Sequence, residues 1–298
     1  RLPKDVGLTP AIMVALLPTL SDKDLRIMTP TLEELGLMAE PEIRKRWEAA
    51  IATATDQRAL NIAKNVKSKA LREKLEEAAD VAARTAVKEA TEELDVRVMF
   101  LVDKSGSMEG AIEKSKDALS KILAGFPLEK LHIATFDTIG TVLRPKAASR
   151  AGVQHMLQGV RAGGGTTHAA AVRALYNDGA RVPDTARLIV IVVGDEAGEA
   201  GDQFARVFRE CGYTVAAMAL LVSVAGNAAR GQSVRSCAGQ LRVPFSEVDV
   251  GHFDDPYQVP RVLKALLDAP VAAGPAAAGV SHGWVEKVMK TPLLKVPA

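Results

Sequence analysis

The sequence predicts an α/β fold: a doubly wound, mostly parallel sheet preceded by an all-helical, repeat-type region. Three observations lead there. Residues 1–94 hold short apolar-periodic segments with helix start signals and no strand-like run. The period then changes, and "VRVMFLV", "LHIATF", "RLIVIVV" and "TVAAMALL" follow as short runs rich in β-branched and apolar residues. Helical stretches separate these runs, and strands alternating with helices make a parallel sheet covered on both faces.

The helical region reads as "LTPAIMVALLPTL", "SDKDLRIM", "TPTLEELGLM" and "EPEIRKRWEAAIATATD". Ser21 is placed to cap the helix that opens at Asp22. Thr29 before Pro30 reads as a second cap with proline in the first turn. Gly36 reads as a helix stop. Helices this short cannot bury their faces singly, which suggests a helical-repeat layer truncated at its start. From Asn65 the chain reads as one long helix, with Leu71, Leu75, Ala78, Ala82 and Ala86 on a single face.

The sheet domain is expected over 95–268, with helices at 109–124, 149–160, 167–177, 200–210 and 257–268. "GTVLRP" adds an antiparallel edge strand through a hairpin. "APVAAGPAAAG", 269–279, is a small-residue linker. The tail, 280–298, carries Trp284, Val288, Met289, Leu293 and Leu294. It is too short to fold alone, so it docks on its own chain or on a partner.

Composition excludes several classes. The chain is 48% hydrophobic and 25% charged, with a net charge of +2. Acids and bases interleave, so there is no broad nucleic-acid footprint. No charge-free apolar run reaches the roughly 18 residues that a membrane span needs. The chain opens at Arg1, with no Met and no signal-like segment, and reads as a piece of a longer protein. Cys211 and Cys237 lack the spacing of a metal site or a disulfide framework. Two half-buried free thiols are expected, in a reducing compartment, which points to the cytoplasm.

Ligands in open α/β sheets sit beyond the carboxyl ends of the strands. The first strand ends at Asp103, with Ser105 and Ser107 in the following loop; "RLIVIVV" ends in Gly194 and Asp195. Between them, Gly163, Gly164 and Gly165 precede Thr166 and Thr167. Two carboxylates and three hydroxyls are all oxygen, and oxygen donors select a hard cation. Few acids and several hydroxyls suit magnesium, with manganese and calcium as alternatives. An ion so weakly neutralised keeps an open position for a partner's Asp or Glu.

Asp103, Ser105 and Ser107 match D-x-S-x-S, and here the chain resembles the von Willebrand factor type A domain with its metal-ion-dependent adhesion site, a Rossmann-like fold. The resemblance implies that Ser105, Ser107 and Thr166 are direct metal ligands, and that Asp103 and Asp195 act directly or through water. It implies Thr166 rather than Thr167, judged by the distance to Val172 in the following helix. Thr167, His168 and Glu196 are the expected ligand contacts. Many members have Thr-Asp-Gly where this chain has Gly194-Asp195-Glu196; the extra acid is expected to weaken binding of acidic ligands. The resemblance also implies a C-terminal helix, here 257–268 with Leu263 and Leu266, whose shift couples to ligand state.

Other readings stand beside this one. Ser105 and Ser107 are also placed to cap a helix opening near Met108. A helical layer joined directly to such a domain resembles the Ro (TROVE) RNA-binding proteins in arrangement, which makes RNA the runner-up partner. Asp103 with "GDEAGE" resembles haloacid-dehalogenase-type phosphatases, with Asp195 and Glu199 on magnesium, but Ser105 stands where that family places its general acid. The expectation is therefore a metal-dependent, protein-binding adaptor module and not an enzyme.

Overall fold

The computed structural model describes residues 9–54, 58–91, 95–123, 126–223 and 231–249. The predicted helix at 257–268, the linker and the tail lie outside these residues. The helical region comprises α1 (Pro10–Leu16), α2 (Asp22–Ile27), α3 (Thr29–Glu34), α4 (Pro41–Ala52), α5 (Arg58–Ala63) and α6 (Lys69–Thr91). Its core gathers Met13, Leu25, Leu32, Trp47, Ala50 and Leu75.

Local signals explain most of these helix ends. The Ser21 hydroxyl accepts from Asp24 N at 3.1 Å, a cap that contributes about 1 kcal/mol. Gly36 adopts φ +72°, the left-handed conformation that lets a helix end without a Cβ clash. Two expectations need correction. Thr29 does not cap α3, because Met28 occupies the cap position. The Thr29 hydroxyl instead donates to Arg26 O at 2.6 Å and accepts from the buried indole N–H of Trp47 at 2.8 Å. The long helix starts at Lys69 rather than Asn65, since the Glu33 carboxylate accepts from Lys67 N and Ser68 N and holds a turn before it.

The sheet domain follows as β1 (Val96–Asp103), α7 (Ile112–Leu123), β2 (Leu131–Phe136), β3 (Gly140–Leu143), α8 (Arg150–Leu157), α9 (His168–Asn177), β4 (Arg187–Gly194), α10 (Gly201–Glu210), β5 (Val215–Val222), α11 (Ser233–Leu241) and β6 (Phe245–Asp249). The six strands form one sheet in the order β3-β2-β1-β4-β5-β6. All neighbours run parallel except β2 and β3. Sequence patterning missed α11 and β6. "SVRSCAGQL" is rich in serine and glycine, which are poor helix formers, and "FSEVD" forms a half-exposed edge strand.

Alternate residues of β1 face opposite layers, as the period of a strand requires. Val98, Phe100 and Val102 pack with Leu119, Leu123, Val153 and Leu157 of α7 and α8. Met99 and Leu101 pack on the other face with Phe136, Val172, Leu175, Phe204 and Phe208. The helical layer meets the sheet domain where α6 approaches the start of α8. There the Asp80 carboxylate accepts from Arg150 N at 3.3 Å, and Arg84 donates to Ala148 O at 3.2 Å. Among the described residues, no helix is long and apolar enough to cross a membrane.

Candidate metal centre

β1 lies between β2 and β4, with Asp103 opposite Phe136 and Val102 opposite Val193. Two neighbouring strands therefore release their chains beside each other, Asp103 ending one and Gly194-Asp195 ending the other. The fit is close. A Cβ on Gly194 would stand 2.7 Å from Asp103 Cβ and 2.9 Å from its Oδ2.

The loop after β1 is pinned by its own backbone. Asp103 Oδ1 accepts from Ser105 N at 2.8 Å, and Lys104 N donates to Phe136 O at 2.8 Å. Ser105 is buried and Ser107 exposed, with their hydroxyl oxygens 3.0 Å apart. Neither acts as the helix cap expected from sequence. The Ser105 side chain makes no cap bond to the single 3-10 turn at Gly106–Met108, and α7 begins only at Ile112.

The glycine loop joins this one through two backbone bonds, Gly106 N to Gly164 O at 3.0 Å and Gly163 N to Lys104 O at 2.8 Å. Gly164 has φ +79°, and a Cβ there would press on Asp137 at 3.1 Å. Only glycine meets both conditions without displacing a neighbour. Thr166 Cγ2 lies 3.3 Å from where a Cβ of Gly198 would be, so Thr166 borders the loop that carries Asp195. Thr167 precedes α9, and its N–H donates to Asp137 O at 2.8 Å.

Electrostatics single out the two aspartates. Asp103 and Asp195 are both almost fully buried. Each uses one oxygen locally, Asp103 Oδ1 on Ser105 N and Asp195 Oδ1 on Ala197 N at 2.9 Å. Each leaves Oδ2 buried with no hydrogen-bond partner among the described residues. A carboxylate oxygen withdrawn from water and left unpaired is costly. Burial pushes the Asp103 carboxyl up to about 6, against the Ser105 hydrogen bonds, and the nearby Asp195 charge adds to the rise. Such an arrangement suits a cation. Among the described residues, no three His, Cys, Asp or Glu side chains gather into a metal-holding group, so the remaining donors there are the hydroxyls.

Two predicted ligand contacts are placed elsewhere. His168 is the first residue of α9, inside the helix expected at 167–177, and is fully buried, with Nδ1 at 2.9 Å from Glu199 Oε2. Glu196 is also buried, and its Oε1 accepts from Arg235 N at 2.9 Å, in the first turn of α11. Its φ of +61° turns the side chain toward α11, so it does not stand as an extra charge before a ligand. Glu199, a metal holder in the phosphatase reading, faces α9 instead.

Sequence reasoning overlooked Asp137. It is the first residue after β2, as Asp195 is the first after β4, and the strand-end rule would have found it. It pairs with Lys104 and accepts from Ile139 N at 2.7 Å, which holds its acid below the usual range, the Lys104 bond being the main cause. The Lys104 charge beside the site is thereby neutralised. Of the cysteines, Cys237 is fully buried and only Cys211 half-buried.

Residues 98–198 match the family model described as the von Willebrand factor type A domain. A comparison with curated proteins found no match. Among solved structures, a von Willebrand factor type A protein from Catenulispora acidiphila is 14% identical with a TM-score of 0.45, over 58% of this chain and 43% of that one. BatB, a conserved hypothetical protein from Bacteroides thetaiotaomicron, is 15% identical with a TM-score of 0.41, over 56% and 98%. The manganese-loaded TRAP protein of Plasmodium vivax is 18% identical with a TM-score of 0.40, over 57% and 74%. Behind its helical layer, then, the chain carries a von Willebrand factor type A domain, matched over residues 98–198.

Proposed function

We propose that this chain is a divalent-metal-dependent protein-binding module, an adaptor and not an enzyme, that engages an exposed Asp or Glu of a partner. One observation carries the reading: the buried Oδ2 atoms of Asp103 and Asp195, unpartnered among the described residues, at adjacent strand ends beside the Ser105–Ser107 hydroxyl pair. Ser105, Ser107 and Thr166 would hold the metal, and the two aspartates would supply the negative charge and orient the hydroxyls. Magnesium fits this donor set, with manganese or calcium as substitutes. The bound ion would supply a Lewis-acidic position for the incoming carboxylate. Ser107 and the neighbouring Gly106 are exposed, which leaves that approach open.

Two basic side chains of the helical layer are turned inward rather than toward a nucleic acid. Arg26 donates to Ala50 O at 2.7 Å, and Arg46 donates to Leu17 O and to Leu20 O at 2.6 Å, so these guanidinium groups serve their own layer. The cytoplasmic assignment rests on the two free thiols.

The test has two arms. Calorimetric titration should show one magnesium site in the wild type and none in Asp103→Ala. A pull-down with the wild type should lose its partner on adding chelator or on the same substitution. Absence of any divalent-metal binding by the wild type would overturn the proposal, as would a partner indifferent to both changes.

A further inference from the structure

The loop after β4 does more than deliver Asp195. Four residues on, the Glu199 carboxylate reaches across to α9, where it accepts from His168 N at 2.9 Å and Ala169 N at 2.6 Å. The same carboxylate meets His168 Nδ1 at 2.9 Å. Burial alone would raise the pKa of Glu199, but the His168 hydrogen bond and charge outweigh it and hold the group below the usual carboxylate range. Glu199 is therefore ionised near neutrality, and His168 Nδ1 is the donor.

His168 is set rigidly at the other end of this contact. Its ring lies between Phe136, at the end of β2, and Phe204 of α10, with centroids 4.7 and 5.1 Å away. Gly198 has no room for a side chain, since a Cβ would stand 2.5 Å from Nδ1 and Cε1 of the ring. The main chain of the Asp195 loop thus rests on the imidazole. Ser233 Oγ donates to Glu199 O at 2.6 Å, which ties the same loop to α11.

We propose that Glu199 is a positioning residue of the metal centre: with His168 it straps the loop that carries Asp195 to the loop that carries Thr166, and so sets the spacing of two donors that come from distant parts of the chain. The assignment rests on the metal-binding reading above. Thr166 lies two residues before one end of the strap, and Asp195 four residues before the other. Glu199 touches neither donor's functional atoms, so it acts only through the backbone it holds. A plain helix cap would satisfy the first N–H groups of α9 and do nothing else. The buried ring, the bare glycine resting on it and the bond from Ser233 go beyond a cap.

Full-length Glu199→Ala, Glu199→Gln, His168→Leu and His168→Asn separate the two roles. Hydrogen exchange in chelator reads the strap without any metal. Glu199→Ala should speed exchange at both 166–169 and 195–198. Magnesium affinity should fall about tenfold or more, the usual effect of removing a group that orients metal ligands. His168→Leu should fall with it. His168→Asn, which restores an N–H donor at the Nδ1 position, should recover most of the loss. Glu199→Gln keeps one acceptor and gives a milder version if the alanine variant fails to fold. Faster exchange confined to 168–169, with wild-type magnesium affinity, would reduce Glu199 to a helix cap and overturn the proposal. Loosening of both loops by Glu199→Ala, together with a wild type that binds no metal, would uphold the strap and sink the metal reading instead.

Discussion

Gly194 and Asp103 stand so close that a Cβ on the glycine would lie 2.7 Å from Cβ of the aspartate. Both residues belong to buried strand ends, so neither can give way cheaply. Gly194→Ala should displace the Asp103 carboxylate while leaving every proposed donor in the sequence. Magnesium affinity, measured by calorimetric titration, should fall about tenfold or more. Wild-type affinity in this variant would mean that the position of Asp103 is not part of the site.

Asp103→Asn should separate stability from binding. Without metal the wild type holds a buried carboxylate with one oxygen unpaired, and burial opposes its ionisation. Asparagine keeps the acceptor for Ser105 N and removes the charge. In chelator near neutral pH, the variant should melt at or above the wild type. Saturating magnesium should raise only the wild type, since only a binding-competent folded state gains from the ligand.

Asp80 gives a pH dependence at the joint between the two layers. Burial pushes its carboxyl above the ordinary value, against the hydrogen bond from Arg150 N and the charges of Arg150 and Arg84. The folded state thus holds the proton more tightly than the unfolded chain. Stability from this group is greatest at low pH and declines as pH rises from the unfolded value through the folded one. Asp80→Asn keeps the acceptor and removes the titration. Urea denaturation between about pH 4 and 7 should show the wild type losing stability relative to the variant as pH rises.

The thiols should differ in reactivity. Cys237 is fully buried in the core beside α10, and burial pushes its thiol up to about 12. Cys211 is half-buried, and burial raises its thiol as well. A thiolate reagent near pH 8 should label Cys211 slowly and Cys237 only after unfolding, as read by mass spectrometry. Rapid labelling of Cys237 in the native protein would contradict the packing around α11.

Strand ends are a property of the chain in one dimension, and this made the loops of the proposed metal centre readable. Apolar runs stop at Asp103 and at Gly194-Asp195, and a parallel sheet brings such ends to one edge. The direction of a side chain after the strand is a different matter. His168, Glu196 and Glu199 all follow site residues in sequence, yet Glu196 and Glu199 turn inward to helix starts and His168 turns inward to Glu199. Those partners are 30 to 39 positions away, beyond the reach of any local pattern. The same distance effect moved the start of α6 to Lys69, because Glu33 decides it. α11 keeps helical spacing in Val234, Cys237, Ala238 and Leu241, but two serines and a glycine dilute the signal, and β6 is a short half-exposed edge strand, so both escaped notice.

The side chains that finish the turns of the N-terminal layer have the same long reach. Arg26, Arg46 and Glu33 close main-chain groups lying 24 to 35 positions away. A synthetic peptide spanning α2 or α3 alone would lack those partners and should be a coil in water, too short to sustain itself. The helices of the layer therefore depend on one another for their ends, and cutting away the segment that carries Glu33 should loosen the start of α6.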